Sequence, residues 1–265
     1  MAKILTIDLG TTFFKACLFD ENGHLVALEH IAPPIQRAHR GWFELYALTF
    51  EETVRSLLKQ LRQKAGGFAD VAAVSFATQT NTFRLLEEND WPWSPMILWI
   101  DERSLDQQPK LDKIVQTPNF RARTGVPELN GQFMIGHLLR WAEHNPAWPK
   151  VRKVSLISDE LTRWFTGQHV TEAGAAGLTG MIDIHTLQWI PEICAHTKLD
   201  MSCFARIARA GTDLGPVLPA IAQEFGLPKG CRFVVGAISA NTSNACNAPP
   251  DWLVRSRRSG SSPQP

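Results

Sequence analysis

Two apolar runs open the chain, residues 3–9 (Lys-Ile-Leu-Thr-Ile-Asp-Leu) and 13–19 (Phe-Phe-Lys-Ala-Cys-Leu-Phe), and only Gly10-Thr11-Thr12 separates them. The first has the unbroken apolar character of a buried strand; in the second, Phe14, Ala16 and Leu18 alternate with Lys15. A link this short makes a hairpin turn and has no room for a crossover helix, so the two strands run antiparallel. Asp20-Glu21-Asn22-Gly23 is a second turn signal and Leu25–Leu28 continues as a third strand. The expected opening is therefore an antiparallel three-strand meander. That disfavours a Rossmann start, which needs a helix directly after its first strand.

Further along, Thr49-Phe50-Glu51-Glu52 has the spacing of a capping box, and Phe50, Val54, Leu57, Leu58 and Leu61 recur on one helical face before Gly66-Gly67. This predicts an amphipathic helix from about Thr49 to Lys64. Val71–Ala77, Phe83–Leu86 and Met96–Ile100 read as strands, with Asn89-Asp90 turning between the last two. Residues 104–235 carry more helical signals: Ile135–Ala142, Glu160–Phe165 closed by Gly167, and Val217–Phe225 closed by Gly226. Cys231–Val235 is a last short strand, and no repeat at solenoid periods occurs. From Ser239 to Pro265 the chain is rich in Ser, Pro, Asn and Arg with one acidic residue, Asp251, too little apolar surface to offset ordering entropy. The expected organisation is one domain over 1–238 and a disordered or frame-shifted tail over 239–265.

Bulk properties narrow the function classes. With 265 residues, 44% hydrophobic and 20% charged, the chain is an ordinary globular sequence. Twenty-seven Lys and Arg against 26 Asp and Glu give a net charge of +1, which supplies no electrostatic reason to expect nucleic acid or an anionic membrane as partner. Five cysteines, an odd set without C-x-x-C, suit a reducing compartment. Asp8 interrupts the first apolar run, which defeats a signal-peptide core, and no stretch is long and apolar enough to span a bilayer, so a cytoplasmic location is expected. The eight histidines lack metal-ligand spacing, so no transition-metal site is expected. Oligomeric state is not legible.

Asp8-Leu9-Gly10-Thr11-Thr12-Phe13-Phe14-Lys15 is the stretch richest in chemistry. A tight turn of Gly and two threonines presents backbone N–H groups and hydroxyls to an anion, an Asp at the preceding strand end can hold a metal-bound water, and Lys15 can add a cation near a transferring phosphoryl group. A plain hairpin with an exposed Lys accounts for the same residues, and the alternative stays open on this stretch alone. It is not a P-loop, because no G-x-x-x-x-G-K-[ST] occurs.

The turn resembles the first phosphate motif of the actin-like ATPase superfamily. Three further stretches narrow the resemblance: Gly41-Trp42-Phe43-Glu44, Ala77-Thr78-Gln79-Thr80-Asn81, and Ile97-Leu98-Trp99-Ile100-Asp101-Glu102-Arg103. Their order and spacing are similar to the N-terminal domain of the FGGY carbohydrate kinases, the family of xylulose, glycerol and gluconate kinases, over about residues 3–237. The resemblance implies an α/β fold of ribonuclease-H-like (actin-like ATPase) type, a mixed sheet with helices. It implies ATP and magnesium as cofactors, with Asp8 positioning the metal and Gly10, Thr11, Thr12 and Lys15 facing the γ-phosphate. For the sugar or polyol it implies Thr80 and Asn81 as a contacting pair and Trp99 with Asp101 as a substrate wall. Asn, Asp and Trp suit such a ligand, offering bidentate groups for vicinal hydroxyls and an apolar face; the alternatives are strand-end turn chemistry for Thr80 and Asn81 and core packing for Trp99. Glu44 ranks below Asp101, as a loop carboxylate.

The chain also departs from the family pattern. Tyr46-Ala47 stands where an Asp-Pro pair is usual, and Thr80-Asn81 matches neither the Met-His of xylulose kinases nor the Arg-Glu of glycerol kinases, so the sugar is not named. Thr171–Gly177 lies where the family has a small-residue loop near the cleft, for which close backbone packing is the simpler account. Three residues after Gly236 the family places the Asp that takes the proton from the attacking hydroxyl; here Ser239 stands there, and a serine is no general base near neutral pH. The family's second, adenine-binding domain is not found in these residues. The expectation is a carbohydrate kinase in inactive, truncated form, with no catalytic base. The alternative is a non-catalytic sugar- or partner-binding remnant. An actin-like or chaperone ATPase is disfavoured by Gln79–Asn81 and Trp99–Asp101.

Overall fold

The computed structural model describes residues 2–239, so the expected tail lies outside the described residues except for Ser239. The chain opens on three strands, β1 (Lys3–Leu9), β2 (Phe14–Phe19) and β3 (Leu25–Ile31). β1 pairs antiparallel with β2, and β2 antiparallel with β3, as the two turn signals require. A short strand β4 (Glu44–Leu45) leads into helix α1 (Ala47–Lys64), which buries Phe50, Val54, Leu57, Leu58 and Leu61. Each such side chain contributes roughly 1.5–3 kcal/mol of transfer free energy. The helix starts two residues before the expected point and no capping box forms at Thr49. Tyr46 is the N-cap, its carbonyl accepts from the Phe50 N–H at 2.8 Å, and Thr49 lies inside the first turn. Pairing of β4 with Met96 and Ile97 fixes the chain just ahead of the helix, and this tertiary contact sets the start.

β5 (Val71–Thr78) returns parallel to β1, which makes the main sheet mixed. β6 (Phe83–Leu86), a turn at Asn89 and Asp90 with positive φ at both, and β7 (Met96–Ile97) follow. The expected strand to Ile100 stops at Ile97, because the Leu98 N–H turns to the Phe43 carbonyl (3.1 Å) and the Asp101 N–H closes on Leu98 (2.9 Å). Helices α2 (Gln108–Val115), α3 (Phe120–Thr124) and α4 (Met134–His144) come next, then β8 (Lys153–Leu156) and α5 (Ile157–Thr166). β4, β7, β6 and β8 form a second sheet, in that order. α5 starts ahead of the expected Glu160, with the Asp159 carboxylate accepting the Leu156 N–H at 2.9 Å, and ends on Gly167 at φ +74.

β9 (Val170–Glu172) and α6 (Ala173–Gly177) occupy the stretch expected as a loop. Glu172 accepts from the N–H groups of Gly174 and Ala175, both at 2.8 Å, and this cap makes a helical turn of the small residues. A small hairpin, β10 (Ile182–Asp183) with β11 (Gln188–Trp189), precedes α7 (Pro191–Cys194) and β12 (Arg206–Ala208), which pairs with β9. The chain returns to the main sheet through β13 (Asp213–Pro216), α8 (Pro219–Phe225), β14 (Arg232–Val234) and β15 (Ala237–Ile238). α8 begins at Pro219 rather than Val217, because the Val217 N–H is held by the Cys231 carbonyl and proline suits the first helical position. The main sheet runs β13-β14-β5-β1-β2-β3, with β15 also on β5. One apolar core lies between this sheet and α1, α5 and α8; a second joins β6–β8 to α2 and α4. Among the described residues no helix is long and apolar enough to cross a membrane.

Candidate functional site

β1, β5 and β15 are parallel neighbours, with Leu9 opposite Thr78 and Ile238 opposite Thr78 in register. Their C-terminal ends therefore reach the same sheet edge, the place where open α/β sheets present ligands. Backbone bonds lock this edge: Gln79 N–H to Leu9 carbonyl at 3.1 Å, and Ser239 N–H to Thr78 carbonyl at 2.8 Å. An open pocket of about 310 Å³ lies there, lined by Gly10, Thr11, Thr78, Gln79, Thr80, Trp99 and Ser239. Three of the segments meet because β1, β5 and β15 end together, and the fourth, Trp99, reaches the same pocket from the turn after β7 in the second sheet.

On one side of the pocket is the β1–β2 turn, closed by the Gly10 N–H on the Phe13 carbonyl at 3.2 Å. Thr12 is exposed. Asp8 and Lys15 are direct register partners across the hairpin, with Lys15 Nζ 3.6 Å from Asp8 Oδ2. Asp8 is 7% exposed, and burial raises its carboxyl above the usual carboxylate range although Lys15 pulls the other way. Its Oδ1, like Thr78 Oγ1 and Gln79 Nε2, is buried with no hydrogen-bond partner. A buried carboxylate oxygen without a donor beside the turn fits a hard cation. Magnesium in particular is held by one or two protein carboxylates, with water and phosphate oxygens completing its shell.

On the other side Trp99 stands on the turn that ends β7, 44% exposed, with its backbone N–H on Thr82 Oγ1 at 3.1 Å. Its indole N–H donates to Thr11 Oγ1 at 2.8 Å, and the Thr11 hydroxyl donates to Gln79 Oε1 at 2.8 Å. Thr80 lines the same pocket.

Two residues expected as substrate contacts have their side chains engaged behind the wall. Asn81, in the left-handed conformation at φ +52, donates to the Leu178 carbonyl at 2.8 Å and accepts the Met134 N–H, the first of α4, at 3.1 Å. Asp101 is 0% exposed and accepts the N–H groups of Phe43 (2.6 Å) and Arg103 (3.0 Å) and the Arg103 guanidinium at both oxygens. Glu44 closes this buried cluster on Arg103 Nη2 at 2.7 Å, and the guanidinium lies 4.1 Å over the Trp42 ring. The structure thus brings Gly10, Thr11, Thr80, Trp99 and Ser239 around one pocket, places Asp8 and Lys15 beside it, and turns the functional groups of Asn81 and Asp101 elsewhere. Thr78 and Gln79, which the sequence places in the Ala77–Asn81 motif without a site role, also line the pocket.

The sequence matches the FGGY family of carbohydrate kinases, N-terminal domain, over residues 3–246. It is 29% identical over 239 residues to the xylulose kinase of Lactococcus lactis subsp. lactis (strain IL1403), covering 89% of this chain and 47% of that protein. It is 27% identical over 248 residues to the gluconokinase of Bacillus subtilis (strain 168), covering 91% and 47%. Among solved structures, a xylulose kinase from Brucella ovis superposes with a TM-score of 0.81 at 27% identity, over 89% of this chain and 48% of that one. The xylulose kinase from Rhodospirillum rubrum, at 24% identity, shares the fold with a TM-score of 0.82 over 89% and 49%. The chain spans about half the length of the curated relatives it matches.

Proposed function

The chain belongs to the FGGY family of carbohydrate kinases, and from that premise we propose that its pocket is the acceptor and phosphate side of a cleft for phosphoryl transfer from ATP to a sugar or polyol hydroxyl. The observation that carries the reading is the shared edge of β1, β5 and β15. It puts the β1–β2 turn and the end of β5 at one pocket, to which the β7 turn of the second sheet adds the Trp99 ring, and transfer requires both partners in one cleft with reacting atoms about 3–3.5 Å apart.

Asp8 is the residue for magnesium, through the oxygen that no protein donor occupies. Magnesium, when bound, neutralises charge on the phosphates. The N–H groups of Thr11 and Thr12 and the exposed Thr12 hydroxyl face the phosphate oxygens, and Lys15 offsets part of the burial cost of an ionised Asp8 while adding its own positive charge. Thr80 supplies a hydroxyl to the acceptor, and Trp99 an apolar face for its C–H groups. Asn81 and Asp101 act from behind, one anchoring the β5–β6 turn to α4 and the other holding the Trp99 turn to Arg103 and Phe43.

Ser239 lies at the pocket where an acceptor hydroxyl must lose its proton. A serine hydroxyl is too weak a base to take it near neutral pH, and lack of a general base lowers rates by about 10²–10⁴-fold. This favours a second reading, sugar binding without turnover, for the 265-residue polypeptide as it stands. A coupled ADP-release assay against pentoses, hexoses, polyols and sugar acids separates the two. The expected result is no sugar-dependent turnover beyond background, whereas turnover that Asp8→Ala abolishes contradicts it.

A further inference from the structure

Trp99 is nearly half exposed, yet the residue is held at two points: its backbone N–H by Thr82 and its indole N–H by Thr11. Thr11 belongs to the phosphate turn, 88 residues earlier in the chain. Its single hydroxyl proton goes to Gln79 Oε1, which fixes the rotor and aims a lone pair at the indole. The bonds therefore run one way, from Trp99 to Thr11 to Gln79, and Gln79 is itself pinned by its N–H on Leu9. Among the described residues, the Thr11 bond is the one hydrogen bond made by the Trp99 ring.

We propose that Thr11 is a positioning residue for the acceptor wall: the phosphate turn sets the orientation of Trp99, and with it the affinity for the sugar, before any nucleotide binds. The inference rests on the phosphotransfer reading above and deepens it, since it assigns to a residue of the phosphate turn a role on the acceptor side. A residue serving the phosphates alone has no effect on sugar binding in nucleotide-free protein. Thr11 does.

The test uses the full chain without nucleotide. Of its nine tryptophan indole ¹⁵N–H resonances, the one lost in Trp99→Phe identifies the wall. Thr11→Val keeps the β-branched shape on a partly exposed turn and removes both bonds, while Thr11→Ser keeps the hydroxyl. Titrations with D-xylulose, L-fuculose, D-gluconate and glycerol are read at that resonance. The expected result is a displaced Trp99 indole signal in Thr11→Val and a sugar affinity weaker by about three- to tenfold, the worth of one net hydrogen bond, with both restored in Thr11→Ser. A Thr11→Val chain with the wild-type indole position or the wild-type affinity overturns the inference and leaves the phosphotransfer reading standing. A wild-type chain that responds to none of the four contradicts that reading and overturns the inference with it.

Discussion

Asp8 illustrates how a site is legible as chemistry before it is legible as structure. Its place at the end of an apolar strand marks it in the sequence, but only the fold shows one oxygen beside Lys15 and the other buried without a donor. Because burial raises its carboxyl, the folded chain holds the proton more tightly than the unfolded chain does, so this residue's contribution to stability is lost as pH rises through the folded value. Asp8→Asn is therefore expected to raise the melting temperature at about neutral pH. The gain should shrink below the ordinary carboxylate value of 3.8, where both states are protonated; the same substitution weakens Mg·ADP binding. A melting series across pH checks the first expectation and calorimetry the second. Arg103 is a contrasting case, invisible as a partner in the sequence because Glu44 lies 59 residues away. Its removal strands two buried carboxylates, so Arg103→Ala should cost roughly 3–5 kcal/mol in urea unfolding. Asn81 and Asp101 have residue types that suit a sugar, and sequence cannot tell that they also bond Leu178, Met134, Phe43 and Arg103.

Helices and strands were legible where one face repeats and ambiguous where a partner sets the boundary. The apolar stripe of α1 appears in the periodicity of Phe50 to Leu61, but its first turn is fixed by β4 against β7, which no local pattern shows. β7 ends early for the same kind of reason, and its shortness is what leaves Trp99 on a turn above the pocket. Glycines at helix ends were reliable punctuation: Gly167 and Gly226 both adopt the left-handed conformation that other residues resist. The start of α5 has a testable device. Burial pushes the Asp159 carboxyl up to about 8 from 3.8, so the folded chain keeps a proton that the unfolded chain releases, and stability falls as pH rises across that interval. Asp159→Asn, which keeps an acceptor for the Leu156 N–H, should flatten the dependence of the urea midpoint between about pH 4 and about pH 8. Asp159→Ala loses the bond and should cost about 0.5–2 kcal/mol at the acid end of that range, a cost that shrinks as pH rises because the raised carboxyl is gone as well.

At the scale of the whole molecule, function follows from topology. The antiparallel start was legible because a three-residue link allows no other geometry, whereas the return of β5 and β15 parallel to β1 was not, since long-range strand order leaves no local trace. That order is what joins the Gly10–Thr11 turn, the Gln79–Thr80 strand end and Ser239, and the second sheet brings Trp99 to them through the turn after β7. Gly10, Thr11, Thr80 and Trp99 could be singled out from their motifs, while Thr78 and Gln79 needed the strand's end to be located. The account's central claim is that one pocket receives the sugar beside the phosphates. It is tested most directly by mapping backbone and indole ¹⁵N–H shifts of the full chain on addition of D-xylulose, then of Mg·ADP. The account predicts shifts at Thr80, Thr78 and the Trp99 indole with the sugar, and at Gly10, Thr11 and Gln79 with Mg·ADP, the latter abolished by Asp8→Ala. Shifts confined to surfaces remote from this sheet edge, such as the outer face of α1, would contradict it.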